Sequence, residues 1–100
     1  MADITVKLFG VLRLDSKISG TSLKAQTVAQ VFDALNVSIN EAYAAKQSQA
    51  LASGDPAPEK PKPVMPDDAV VFVNGERCRK RKYKLNDGDE VWLLSPASGG

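Results

Sequence analysis

The sequence predicts an α+β fold: a mixed sheet with one principal helix packed on one face, ending in a flexible C-terminal tail. Three observations predict it. Residues 4–9, Ile-Thr-Val-Lys-Leu-Phe, alternate with the period of a strand. A single well-capped amphipathic helix opens at Thr27. Residues 69–94 then carry two apolar runs punctuated by Asn-Gly and Asp-Gly, the residues that tight turns demand. One helix covers one face of a sheet, so the other face must meet solvent or a partner.

In the first strand, Ile4, Val6 and Leu8 share one face, while Thr5, Lys7 and Phe9 share the other. Val11-Leu12-Arg13-Leu14 continues the apolar character after Gly10, residues 15–20 read as a turn, and residues 21–25 form a second strand pairing back as a hairpin. Thr27-Val28-Ala29-Gln30 fits a capping box, in which hydroxyl and amide side chains satisfy the orphan donors of a first helical turn. Val28, Val31, Phe32 and Leu35 follow at i, i+3, i+4 and i+7, and Asn36 is the expected stop. Residues 40–52 read as a second helix, capped by Asn40 and rich in alanine, covering one edge of the core. Residues 53–66 hold five of the six prolines, which can form neither a helix nor a ladder, so a mobile loop is expected there.

Ala69-Val70-Val71-Phe72-Val73 is a nearly continuous apolar run, the mark of a well-buried strand. Asn74-Gly75 follows as a hairpin turn, residues 76–78 start the return, and Asn86-Asp87-Gly88-Asp89 turns into a last strand over residues 90–94. Val91 and Leu93 face one way there, Trp92 and Leu94 the other. If the first and last strands are neighbours, Phe9, Trp92 and Leu94 form an apolar patch of the kind that marks a partner surface. The alternative is that the second helix or the proline loop folds over them.

Composition excludes more than it suggests. One hundred residues, 43% hydrophobic and 25% charged, make one soluble domain over residues 1–100, with a helical and proline-rich insertion at about 37–66 and a tail at 95–100. A formal net charge of +1 points to neither a nucleic-acid nor a membrane partner, and no apolar run reaches the ~20 residues of a membrane helix. The start, with its alternation and Asp3, does not read as a signal peptide, and a single cysteine suits a reducing cytoplasm. The absence of histidine excludes Ser-His and Cys-His nucleophile pairs and, with one cysteine, the usual zinc sites. None of the seven glycines builds a phosphate-cradling loop. No catalytic residue and no metal site is therefore expected.

Residues 77–84 hold six of the thirteen basic side chains: Arg77, Arg79, Lys80, Arg81, Lys82 and Lys84. A solvated loop is the commoner explanation of such a run; the functional alternative is docking to an acidic partner rather than reading nucleic acid, since no aromatic platform lies beside it. Cys78, between two arginines, could be an acidified thiol, but nothing else in the chain completes a catalytic group and an inert cysteine is expected. Asp67-Asp68 and the carboxylates at 87, 89 and 90 fit ordinary turn chemistry. The last strand runs through Ser95-Pro96-Ala97-Ser98 into Gly99-Gly100. Glycines there let a backbone carboxylate enter another protein's site closely; a frayed end is the plain alternative.

Several stretches together resemble the ubiquitin-like β-grasp sulfur carriers, above all the small subunit of molybdopterin synthase (MoaD-like), with the thiamine-pathway carrier ThiS as a cousin. They are residues 4–10, the helix opening at Thr27-Val28, residues 71–76, residues 85–91 and the terminal Gly99-Gly100. The resemblance implies that an E1-like enzyme uses ATP to adenylate the Gly100 carboxylate. A sulfur donor then converts it to a thiocarboxylate, which the large subunit of molybdopterin synthase or another acceptor enzyme consumes. It implies no stably bound cofactor, and catalytic side chains that belong to the partners. Phe9 matches a family position on the partner surface, and Leu94 one that precedes the tail. The position of Arg77 is usually apolar in the pterin-synthase version. With the basic run and the proline-rich stretch, it points towards carriers for other pathways, thiamine synthesis or tRNA thiolation among them. A ubiquitin-like modifier would join the same activated Gly100 to lysine, and a plain binding module would use only the body or the basic loop.

Overall fold

Strand β1 (Ala2–Phe9) leads into a short helix α1 (Val11–Ser16), then β2 (Gly20–Ala25), the long helix α2 (Val28–Ser53), a 3-10 turn (Pro66–Asp68), β3 (Val70–Val73), β4 (Glu76–Cys78) and β5 (Glu90–Leu94). The computed structural model describes residues 2–95. The five strands form one sheet in the order β2-β1-β5-β3-β4. The central pair, β1 and β5, is parallel, with Val6 opposite Val91 and Phe9 opposite Leu94. All other neighbours run antiparallel. The mixed sheet with one principal helix is thus the expected architecture, and first and last strands are neighbours.

The period-two alternation decides which side chains meet the helix. Ile4, Val6 and Leu8 of β1, Val91 and Leu93 of β5, and Val71 and Val73 of β3 are all buried on one face. Val28, Val31, Phe32, Leu35 and Ile39 of α2 pack against them to make one core. The capping box forms as the sequence predicts, with a small change. Thr27 Oγ1 accepts from the Gln30 amide at 3.3 Å, while Gln30 Oε1 accepts from Gln26, one residue before the cap, at 2.8 Å.

Four expectations are corrected. Asn36 does not stop the helix and Asn40 does not open another: α2 is continuous over 26 residues and ends at Gly54, which takes the left-handed conformation. Asn36 has a different task. Its side chain accepts from the Val64 amide at 2.8 Å and donates to the Val64 carbonyl at 3.0 Å, making both halves of a backbone pair. The proline-rich stretch is a loop, but its end is tied down: Val64 is buried in the core and the Lys62 amide donates to the Asp15 carbonyl at 2.9 Å. Residues 11–16 form α1 instead of running on towards a turn, because Gly10 (φ +62°) turns the chain sharply after β1. Finally, β3 is not buried on both faces. Val71 and Val73 lie in the core, whereas Val70 and Phe72 are half-exposed on the far side.

Candidate functional site: the open face of the sheet

Among the described residues, no helix packs on the second face of the sheet. Register carries its central row from Lys7 to Trp92, Phe72 and Arg77 across β1, β5, β3 and β4. A neighbouring row joins Phe9, Leu94 and Val70. Phe9 meets Trp92 edge-on, with centroids 6.0 Å apart and planes at 70°, and Phe72 lies 6.5 Å from Trp92 on its other side. The edge-on Phe9–Trp92 contact suits the ring quadrupoles, while Phe72 is tilted at 36° to the indole. The three residues expected to form a patch, Phe9, Trp92 and Leu94, are therefore brought together. Phe9 is 40% exposed, and Trp92 and Leu94 are half-buried. Phe72 and Val70 extend the patch. An unbroken apolar run gives no parity, so the sequence does not show which members of 70–73 turn outwards.

A charged pair borders the aromatic row. Glu90 accepts a hydrogen bond from the Trp92 indole N–H and pairs with Lys7 Nζ at 3.2 Å. These two contacts, the indole first, hold the Glu90 carboxyl below its ordinary range. The chain leaves the patch at Leu94-Ser95, beside Phe9 and Gly10, where a Cβ on Gly10 would stand 3.1 Å from Ser95 Oγ. The expected tail residues Gly99 and Gly100 lie outside the described residues.

The opposite end of the sheet is built from the other motif residues. Asn74 (φ +52°) and Gly75 (φ +86°) turn the β3–β4 hairpin. Asn74 also accepts from the Glu90 amide through Oδ1 at 2.9 Å and donates to Asp89 Oδ1 at 2.9 Å. Asp89 Oδ2 accepts from the Asn86 amide, and Asp87 Oδ1 accepts from the Asp3 amide, each at 2.8 Å. The carboxylates at 87 and 89 thus bind backbone donors, as turn chemistry requires. They fix the start of β5 against β1 and the hairpin.

The basic run lies on the outer edge. Arg79, Lys80, Arg81 and Lys82 are exposed, and Arg77 stands opposite Phe72 at the margin of the open face. Arg81 pairs with Asp67. Its carbonyl and that of Tyr83 accept from the amides of Ala29 and Val28 at 2.9 and 3.1 Å, so this loop's backbone caps the first turn of α2. Cys78 is half-buried and its thiol donates to the Lys80 carbonyl at 3.4 Å. Among the described residues no group of three or more Cys, Asp and Glu side chains is placed to hold a metal ion, and no helix is long and apolar enough to cross a membrane.

Comparison with known proteins agrees with this architecture. Residues 6–100 match the model of the ThiS family. No match is found among curated proteins. The solution structure of small archaeal modifier protein 1 from Methanosarcina acetivorans is similar, with 27% identity, 100% of this chain and 98% of that chain covered, and a TM-score of 0.61. SAMP1 from Haloferax volcanii is 24% identical over 99% of this chain and 100% of its own, with a TM-score of 0.62. A chain in the complex of subunits 1 and 2 of molybdopterin-converting factor from Helicobacter pylori shares 20% identity over 98% of this chain and 99% of that one, with a TM-score of 0.50. By a family match that spans almost the whole sequence and by its ubiquitin-like β-grasp architecture, the chain belongs to the ThiS family.

Proposed function

We propose that this protein is a non-catalytic sulfur carrier whose working group is the Gly100 carboxylate. One observation carries the reading: β5 delivers the chain out of the sheet at Leu94, beside Phe9 and within the uncovered aromatic patch. A partner seated on that patch receives whatever follows Ser95 directly into its own site. The family match running through Gly100 supports the same reading. The carboxylate attacks the α-phosphate of ATP in an E1-like partner, expelling pyrophosphate. A sulfur nucleophile then displaces AMP to leave the thiocarboxylate. The body supplies recognition and the tail supplies reach, so neither histidine nor a bound cofactor is needed in this chain. The preferred acceptor is the large subunit of molybdopterin synthase, with Phe9, Trp92 and Leu94 as the docking residues. Acceptors in thiamine synthesis or tRNA thiolation fit the same chemistry.

A second reading is favoured by the likeness to small archaeal modifier protein 1: a lysine amine displaces AMP and forms an isopeptide. Incubation with ATP, an E1-like enzyme and a sulfur source separates the two. The carrier gains the mass difference of one sulfur replacing one oxygen, and deletion of Gly100 abolishes the gain while leaving the melt unchanged. Lysine-linked adducts without that gain would establish the modifier instead. An unaltered mass with competent partners would sink both.

A further inference from the structure

The basic loop is used by neither reading above, and its surroundings give it a second surface. Residues 77–84 carry six positive side chains and no negative one, which leaves the remainder of the sequence at a net −5 (seven basic against twelve acidic). Among the described residues, only Arg81 of the six pairs with a carboxylate. The chain is therefore strongly polarised although its net charge is near zero, and five of these six cations have no carboxylate partner among the described residues.

The backbone beneath them is held. The carbonyls of Arg81 and Tyr83 accept from the first turn of α2, and the Leu85 amide donates to the Gln26 carbonyl at 2.9 Å. Those carbonyls turn inwards, the side chains at 79–82 stay exposed, and little ordering is left to be done on binding. Beside the loop lies a groove of about 220 Å³ lined by Phe32, Pro66, Ala69 and Val71, with Arg77 to Arg81 at its rim. Among the described residues β4 pairs only with β3, so its outer edge is open to a further strand.

We propose that the β4 edge and the basic loop form a docking groove for an extended acidic segment of a partner protein. An apolar side chain of that segment enters the groove, and its carboxylates meet Arg79, Lys80 and Lys82. Strand addition at a free edge and charge pairing at its rim are complementary: the first gives contact, the second gives rate and selectivity. Nucleic acid fits less well, because the acidic remainder of the chain repels phosphate and Tyr83, 44% exposed, is a single ring in the loop rather than a stacking platform.

The test uses the full chain and a fluorescein-labelled peptide of glutamates around a central leucine. Anisotropy should report binding that weakens about tenfold or more as salt rises from about 50 to 300 mM. Amide shifts should fall on residues 76–84 and on the start of α2. The triple variant Arg79→Glu, Lys80→Glu, Lys82→Glu should lose at least about tenfold in affinity with an unchanged melt, since only exposed side chains are altered. Arg77 is left intact because it borders the open face. Leu94→Asp should keep full peptide binding, which separates this groove from the carrier reading. Any of four results overturns the assignment: undiminished binding by the triple variant, shifts confined to the open face, equal binding of a peptide with serine for leucine, or equal binding of an oligothymidylate.

Discussion

The two faces of this sheet are made by the same strands and differ only in the parity of their residues. On one, Val6, Leu8, Val71, Val91 and Leu93 disappear beneath α2. On the other, Phe9 is exposed and Phe72, Trp92 and Leu94 are half-exposed. Both faces carry large apolar side chains, but the second also holds Lys7, Arg77 and Glu90, and α2 encloses the first. A single helix can bury one face, and an exposed apolar patch on the other fits the docking role proposed above. The difference teaches that hydrophobicity alone does not tell stability from function in this fold; coverage does.

The largest test of that division is Leu93→Ala. Leu93 is fully buried between strand neighbours and α2, so the cavity should cost about 2–5 kcal/mol. At roughly 4–8 °C per kcal/mol for a domain of this size, the melt should fall steeply. One residue away, Leu94→Asp reverses the pattern. It should change stability by less than about 1 kcal/mol, because its side chain faces outwards, yet reduce adenylation by an E1-like enzyme about tenfold or more, as expected for a charge placed in an apolar contact. Equal losses of stability in the two variants would abolish the distinction between the faces.

Smaller effects examine the supports of the covered face. Asn36→Ala removes both hydrogen bonds to the Val64 backbone, and leaving that buried pair without partners should cost about 1–3 kcal/mol in a urea titration. A neutral result would mean that the buried Val64 side chain and the Lys62–Asp15 hydrogen bond suffice to hold the end of the proline-rich loop. Thr27→Ala deletes the cap of α2 and should cost about 1 kcal/mol.

How far this was legible in the sequence follows from what each residue type can encode. Strands β1 and β5 were legible because alternation states which side chains face which way, and Phe9, Trp92 and Leu94 were found by that parity alone. Phe72 and Val70 were not, because four apolar residues in succession carry no parity. The start of α2 was legible through Thr27 and Gln30. Its length was not: asparagine commonly ends helices, and only the fold shows that Asn36 instead clamps Val64. Helix α1 is too short to display a helical period. The basic run was visible as charge, but its carbonyls could not be seen capping α2, since every residue type has a carbonyl.

The smallest effect concerns Glu90, whose carboxyl borders the open face. Glu90 is held below the ordinary glutamate value of 4.5 first by the Trp92 indole and then by Lys7. A carboxylate whose folded pKa is lowered adds stability that is fully present above its unfolded value and is lost as pH falls through the folded one. Wild type and Glu90→Gln should therefore differ most above about pH 5 and converge as the solution is acidified below the ordinary glutamate range. The side chain is exposed, so the difference should be small and should shrink further in salt. Trp92, the single tryptophan, supplies the readout, since its emission should shift with the same acid transition in the wild type and not in the variant. A transition in both proteins would place the titrating group elsewhere and leave Trp92 oriented by Phe9 and Phe72 alone.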